Sequence, residues 1–221
     1  MQFTLSRRLV AEALGTLLLV ATVVGSGIMA ESLTDDTALA LLGNTLPTGA
    51  ILVVLISMFS PISGAHFNPV VSMIMAIHGD MGRGAALAYI FAQIFGGVAG
   101  TFLAHAMFAQ EILQFSQHAR TGGDQWLAEA VATFGLLATI LAGVRFRPDG
   151  VPWLVGLYIT AAYWFTASTS FANPAVTIAR AFTNTFSGIN PAHVPGFIAA
   201  QIVGGLLALV VFSWLLRSEK K

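Results

Sequence analysis

Phe67-Asn68-Pro69-Val70-Val71-Ser72-Met73 (FNPVVSM) returns 105 residues later as Ala172–Ile178 (ANPAVTI). In each copy an asparagine precedes a proline, and both residues favour a helix start. The asparagine side chain accepts from the free N–H groups of the first turn. Proline at the next position has no N–H to waste there. The apolar stretches that follow, residues 68–78 and 173–184, are too short to cross a bilayer, which takes about 20 residues. They read as re-entrant half-helices, which lipid tolerates only where protein or a water-filled cavity covers their ends.

Working outward, two more pairs repeat in the same order. AEALGTLLL from Ala11 returns as AEAVATFGLL from Ala128, and AQIFGG from Ala92 as AQIVGG from Ala200. The offsets are 117, 105 and 108 residues, close enough to mean duplication. Hydropathy places spans at 9–29, 38–60, 84–107, 126–144, 151–170 and 194–216. Repeat 1 covers about 8–107 and repeat 2 about 125–216, within a single transmembrane domain over 1–221. Three spans per half is an odd number, so the second copy is inverted. Inverted repeats place their site near the midplane, between the halves. The fold class is therefore an all-α membrane protein: six transmembrane helices plus two re-entrant half-helices with an inverted internal repeat.

Composition agrees. Of 221 residues, 56% are hydrophobic and 9% charged, and mean hydropathy is +0.80. A soluble domain carries about a quarter charged residues, so most of this surface must face lipid. Zero formal net charge gives no encouragement to nucleic acid as a partner. With no cysteine there are no disulfides, no thiolate metal sites and no target for mercurials. Arg7-Arg8 before the apolar run Leu9–Met29 resembles a signal peptide, but the run is too long and more spans follow. Six spans with both termini cytoplasmic put Arg7, Arg8, Arg83, Arg145, Arg147, Arg217, Lys220 and Lys221 inside. Only Arg120 and Arg180 then fall outside, so eight of the ten basic residues obey the positive-inside bias. Glu31, Asp35, Asp36, Glu111 and Asp124 fall in the outer loops.

Two half-helices entering from opposite faces meet with their N-termini facing. Their dipoles put positive potential at the meeting point, and the Asn68 and Asn173 amides donate to a passing hydroxyl oxygen. Protons and cations meet a barrier there that a neutral solute does not.

With these residues in view, the chain resembles the aquaporin, or major intrinsic protein, family over essentially its whole length. SGAHFNPVVSM (Ser63–Met73) matches the first Asn-Pro-Ala box except at Val70, and FANPAVTIAR (Phe171–Arg180) carries the second intact, with Ala175. The resemblance implies a passive, non-saturating pore for small uncharged solutes, one per chain, assembled as a homotetramer in the cell inner membrane without cofactor or metal. It also implies that Glu12 and Glu129, equivalent in the two repeats, brace the re-entrant loops. Unpartnered, each carboxylate would cost about 2.5–3.5 kcal/mol within the bilayer. The rival reading makes them proton or sodium carriers of an ion-coupled secondary transporter. His66, beside the first box, faces the pore or serves structure. Gly96 and Gly100, and Ala200 with Gly204, form small-residue faces for close helix crossing.

The family sets selectivity at four outer positions. Counted from the asparagines, these are Thr48, Ala161, Ser170 and Val176. Water-specific members place aromatic, histidine and arginine groups there, and glycerol-conducting ones keep the arginine; here a valine replaces it. The resemblance thus implies a wide, modestly polar, uncharged bottleneck for water, polyols and larger neutral solutes, including undissociated arsenite or its methylated forms. Tyr163 and Trp164 alternatively refill the space. Arg180, four residues beyond Val176 on the same face, leans back towards the helix start and either reaches the outer mouth or pairs with a loop carboxylate or lipid phosphate. A membrane enzyme is disfavoured: His66, His78, His105, His118 and His193 are scattered, and neither HExxH nor GxSxG occurs.

Overall fold

The computed structural model describes residues 3–217; Lys220 and Lys221 lie outside the described residues. Eight α-helices follow one another: α1 (Leu5–Leu33), α2 (Thr37–Ser63), α3 (Pro69–His78), α4 (Arg83–Met107), α5 (Gly123–Phe146), α6 (Val151–Phe165), α7 (Pro174–Arg180) and α8 (Val194–Leu215). Among the described residues there is no strand. Five of the helices are long and apolar enough to cross a membrane. The sixth span, α6, has 15 residues and is extended by a 3₁₀ turn over Pro148–Gly150. At 1.5 Å per α-residue and about 2 Å per 3₁₀ residue, the two together reach about 28 Å, close to a hydrocarbon core. The expected end of this span at 170 overran by five residues, and the second half-helix stops at Arg180 rather than 184. Past Phe165 the chain reads Thr-Ala-Ser-Thr-Ser, and past Arg180 it reads Ala-Phe-Thr-Asn; both stretches run as loop.

Local chemistry explains the ends. Asp36 caps α2 by accepting from the Ala38 and Leu39 amides at 2.8 and 3.0 Å. Gly64, at φ 90°, closes α2 in the left-handed conformation that lacks a Cβ penalty in glycine. Asn68 accepts from the Val70 N–H at 2.9 Å, and Asn173 from Ala175 and Val176 at 3.0 and 3.3 Å. Both act as the N-caps their sequence predicts, with Pro69 and Pro174 at the first helical position.

The halves pack alike. α1 lies against α4 and α5 against α8, and a Cβ on Gly96 would strike the Ala13 carbonyl as one on Gly204 would strike that of Ala130. Those two glycines are equivalent, and each lets its helix pair approach backbone to backbone. The half-helices cross over: α3 packs on α8 and α7 on α4, each touching the last helix of the other half. Phe91, Phe95 and Trp214 stand 65%, 74% and 72% exposed on the outside. Large apolar groups on the exterior and Glu12, Gln93, Glu129 and Gln201 wholly buried invert the pattern of a soluble protein, as a lipid solvent requires.

Candidate functional site

The site begins with two carboxylates. Glu12 on α1 accepts from the Ser63 hydroxyl (2.6 Å), the His66 and Phe67 amides (3.0 and 2.7 Å) and Gln93 Nε2 (2.8 Å). Glu129 on α5 accepts from Ser168 (2.6 Å), the Phe171 and Ala172 amides (both 2.9 Å) and Gln201 Nε2 (2.6 Å). Every partner in the second set is the repeat-equivalent of one in the first. The backbone is bent to permit this. Ala65 and Phe67, and their equivalents Ser170 and Ala172, hold φ between 48° and 52°, so adjacent N–H groups converge on the carboxylate as an anion nest. A left-handed non-glycine residue costs about 1–3 kcal/mol. Each hydrogen bond to a charged group returns about 1.5–3 kcal/mol, so four per carboxylate outweigh the two strained residues of the first loop and the three of the second, where Thr169 at φ 60° is added.

With the N–H groups taken on one side, the boxes join on the other. Asn68 Nδ2 donates to the Ala172 carbonyl at 2.7 Å, and Asn173 Nδ2 to the Phe67 carbonyl at 2.8 Å. The two helix starts therefore abut and are tied reciprocally. Both asparagines line a cavity of about 680 Å³ that runs from Asp80 and Asp149 at one end to Arg180 at the other. Val70, Pro69, Pro174 and Ala175 are buried beside the asparagines and pack rather than line. His66 does line the cavity, with Nδ1 3.1 Å from the Ser72 hydroxyl and its ring edge-on to Tyr89. Neither Glu12 nor Glu129 touches the cavity, and with their oxygens occupied by the loops the carrier reading loses its motive. Among the described residues no three potential ligands gather to hold a metal.

Of the four counted filter positions, Thr48, Ser170 and Val176 line the cavity. Ala161 does not: it is exposed on the outer face of α6. Its place is taken by Tyr163, two residues on, which is buried, lines the cavity and sets its hydroxyl 3.4 Å from Thr48 Oγ1. A slip of two residues turns a helical position by about 200°, from wall to exterior. The count crossed a loop of unpredicted length, and that is where it failed. Trp164, the other candidate for refilling the space, is half exposed.

Arg180 is buried at 1% exposure and lines the same cavity. Its Nε donates to the Ser187 carbonyl and its guanidinium carbon lies 3.4 Å from the Phe171 ring centroid. Among the described residues it has no carboxylate partner within ion-pair distance, contrary to the loop-carboxylate alternative. Arg120, which sequence reasoning left as an outer-loop charge, donates Nε to the Gly188 carbonyl at 2.8 Å and stands 5.2 Å from the same ring. His105 was missed too; it bridges the Ile112 carbonyl and the Thr183 hydroxyl at 2.9 and 2.8 Å. A polar residue in the last turn of an apolar span was the available signal.

The chain is similar to known proteins. The model of the major intrinsic protein family matches residues 1–150. The chain is 62% identical to the aquaglyceroporin AqpS of Rhizobium meliloti (strain 1021), over 99% of this chain and 94% of the relative. It is 28% identical to human aquaporin-5, over 93% and 79% of the respective lengths. Among solved structures, the aquaglyceroporin from Plasmodium falciparum superposes with a TM-score of 0.73, covering 95% of this chain and 96% of that one at 22% identity; that likeness speaks for the fold. A paired-box cavity inside an inverted six-helix bundle, and a family match over more than half the chain, have one reading: the chain is a membrane channel, not an enzyme, and belongs to the major intrinsic protein family.

Proposed function

We propose that the chain passes water, glycerol-like polyols and larger neutral solutes, undissociated arsenite and its methylated forms among them, while excluding protons and ions at the paired boxes. The observation that carries this reading is a single cavity whose lining includes both Asn68 and Asn173. Two abutting helix starts raise the potential there, which opposes cations and leaves uncharged solutes indifferent. The wall is amphipathic. Leu19, Leu52, Ile56 and Leu136 form apolar stretches, while Thr48, Tyr163 and Ser170 supply hydroxyls. A polyol or trihydroxy acid suits such a wall, since one of its sides packs while the other exchanges hydrogen bonds. Valine at 176, where the family's glycerol conductors keep an arginine, favours solutes broader than glycerol.

The bracing role of Glu12 and Glu129, both termini cytoplasmic, residence in the inner membrane and a homotetramer complete the proposal. The bias of basic residues supports the orientation. Stopped-flow light scattering on proteoliposomes, with neutral solutes graded by size, tests the whole. Flux linear in concentration and indifferent to ion gradients is expected. Saturating uptake driven by a proton or sodium gradient would return the transporter reading to favour.

A further inference from the structure

Resting on the channel reading, and concerned with what it selects, we propose that Arg180 is the charged element of the outer constriction. It acts from one turn beyond Val176, carried on the Phe171 ring, with Arg120 as a second cation beside it. Val176 and Arg180 share a face of α7 and both line the cavity. A guanidinium at 1% exposure is expensive unless its position is useful or its donors are met. Here Nε is met by the Ser187 carbonyl, but one terminal nitrogen, Nη1, has no partner within the protein. The Ser170 hydroxyl, on the same cavity wall, is likewise buried and unpartnered. Both unpartnered atoms belong to residues on one pore wall, so a small turn of either side chain would offer a donor or a donor–acceptor to a neutral solute bearing adjacent hydroxyls.

The position is built rather than incidental. Phe171 takes the Arg180 guanidinium over its ring, an attraction that strengthens when water is excluded, and packs edge-on to Phe197 at 5.1 Å. Arg120 closes the arrangement from the preceding loop, donating to the carbonyls of Gly188 and Phe186 that flank the one holding Arg180. Among the described residues no carboxylate lies within ion-pair distance of either arginine; Glu129 acts on both only from further off. The outer mouth therefore carries two cations without a direct counter-ion, which repel other cations before they reach the asparagines.

Sodium conductance and solute ranking in proteoliposomes test this with Arg180→Ala, Arg180→Lys and the double variant Val176→Arg/Arg180→Ala. Arg180→Ala is expected to admit sodium and to raise passage of the bulkiest permeant solute relative to water by about tenfold, the factor for one charged hydrogen-bond donor. Arg180→Lys is expected to keep sodium out yet blur the solute ranking, because an ammonium lacks the planar fork. The double variant is expected to restore sodium exclusion. If Arg180→Ala does not assemble, Phe171→Leu keeps the charge but removes its platform and is expected to blur the ranking in the same direction. An assembled Arg180→Ala with wild-type ranking and wild-type ion tightness overturns the proposal, as does an unaltered Phe171→Leu. A wild-type protein that passes no neutral solute sinks the channel reading and this inference together; a conducting wild type beside an unaltered Arg180→Ala sinks this inference alone.

Discussion

The two re-entrant segments are the same device where they touch the scaffold and different devices where they touch the cavity. Glu12 and Glu129 take the same four kinds of donor from equivalent positions. Gln93 and Gln201 also reach equivalent hydroxyls, Ser72 and Thr177, both at 2.9 Å. Beyond the brace and the reciprocal asparagine ties the likeness ends. Phe171 stands where the first half has His66, Arg180 where it has Met75, and α7 stops after seven residues while α3 runs for ten. Holding a strained loop in a bilayer admits few solutions, so duplication kept that part. Each mouth of the cavity faces a different solution and a different solute end, so those parts diverged.

The symmetric part is the place to expect the largest effects. Glu12→Ala and Glu129→Ala each strand two backbone N–H groups and two side-chain donors, a loss of at least about 3 kcal/mol. Both variants are expected to abolish recovery of folded protein in detergent to a similar degree. If one of them assembled and conducted normally, the brace would not be symmetric in energy whatever its geometry. Next come Gly96→Val and Gly204→Val, which drive a side chain into the Ala13 and Ala130 carbonyls respectively. Overpacking of this kind costs about 1–3 kcal/mol, and matched drops in thermal midpoint are the expected result; a drop in one alone would break the equivalence of the two crossings.

Smaller effects belong to the divergent part. Tyr163→Ala is expected to raise flux of a bulky neutral solute about tenfold, the order of discrimination that pocket size supplies, while Ala161→Phe, on the exterior, leaves it unchanged. The reverse result would restore Ala161 to the wall. The smallest effect is none at all: with no cysteine in the chain, mercuric chloride is expected to leave water permeability untouched. Thr48→Cys, on the cavity wall, is expected to create a block, and its failure to do so would place Thr48 off the solute path.

Local signals carried most of the architecture. The Asn-Pro pairs marked α3 and α7 because capping and proline geometry act within one turn. Glycines at 96 and 204 announced close crossings because only a missing Cβ allows them. Counting along the chain led to cavity-lining residues at Thr48, Ser170 and Val176, and to an exposed one at Ala161. There the count crossed the loop 166–173, and a helix face reverses within two residues.

Hydropathy, duplication and capping are properties of neighbours in sequence, and from them alone followed an inverted, paired-box membrane bundle and the residues at its centre. Which side of α6 meets the cavity, and how Arg120, Phe171 and Arg180 come to share one mouth, depended on segments up to 60 residues apart. No local rule specifies such a meeting. It is decided when the loops over 109–122 and 181–193 fold onto one another, with Ser116 donating to Ala181 and Asn190 to His118 at 3.0 and 2.8 Å, because buried backbone and guanidinium donors must find whatever carbonyls the packing brings within reach.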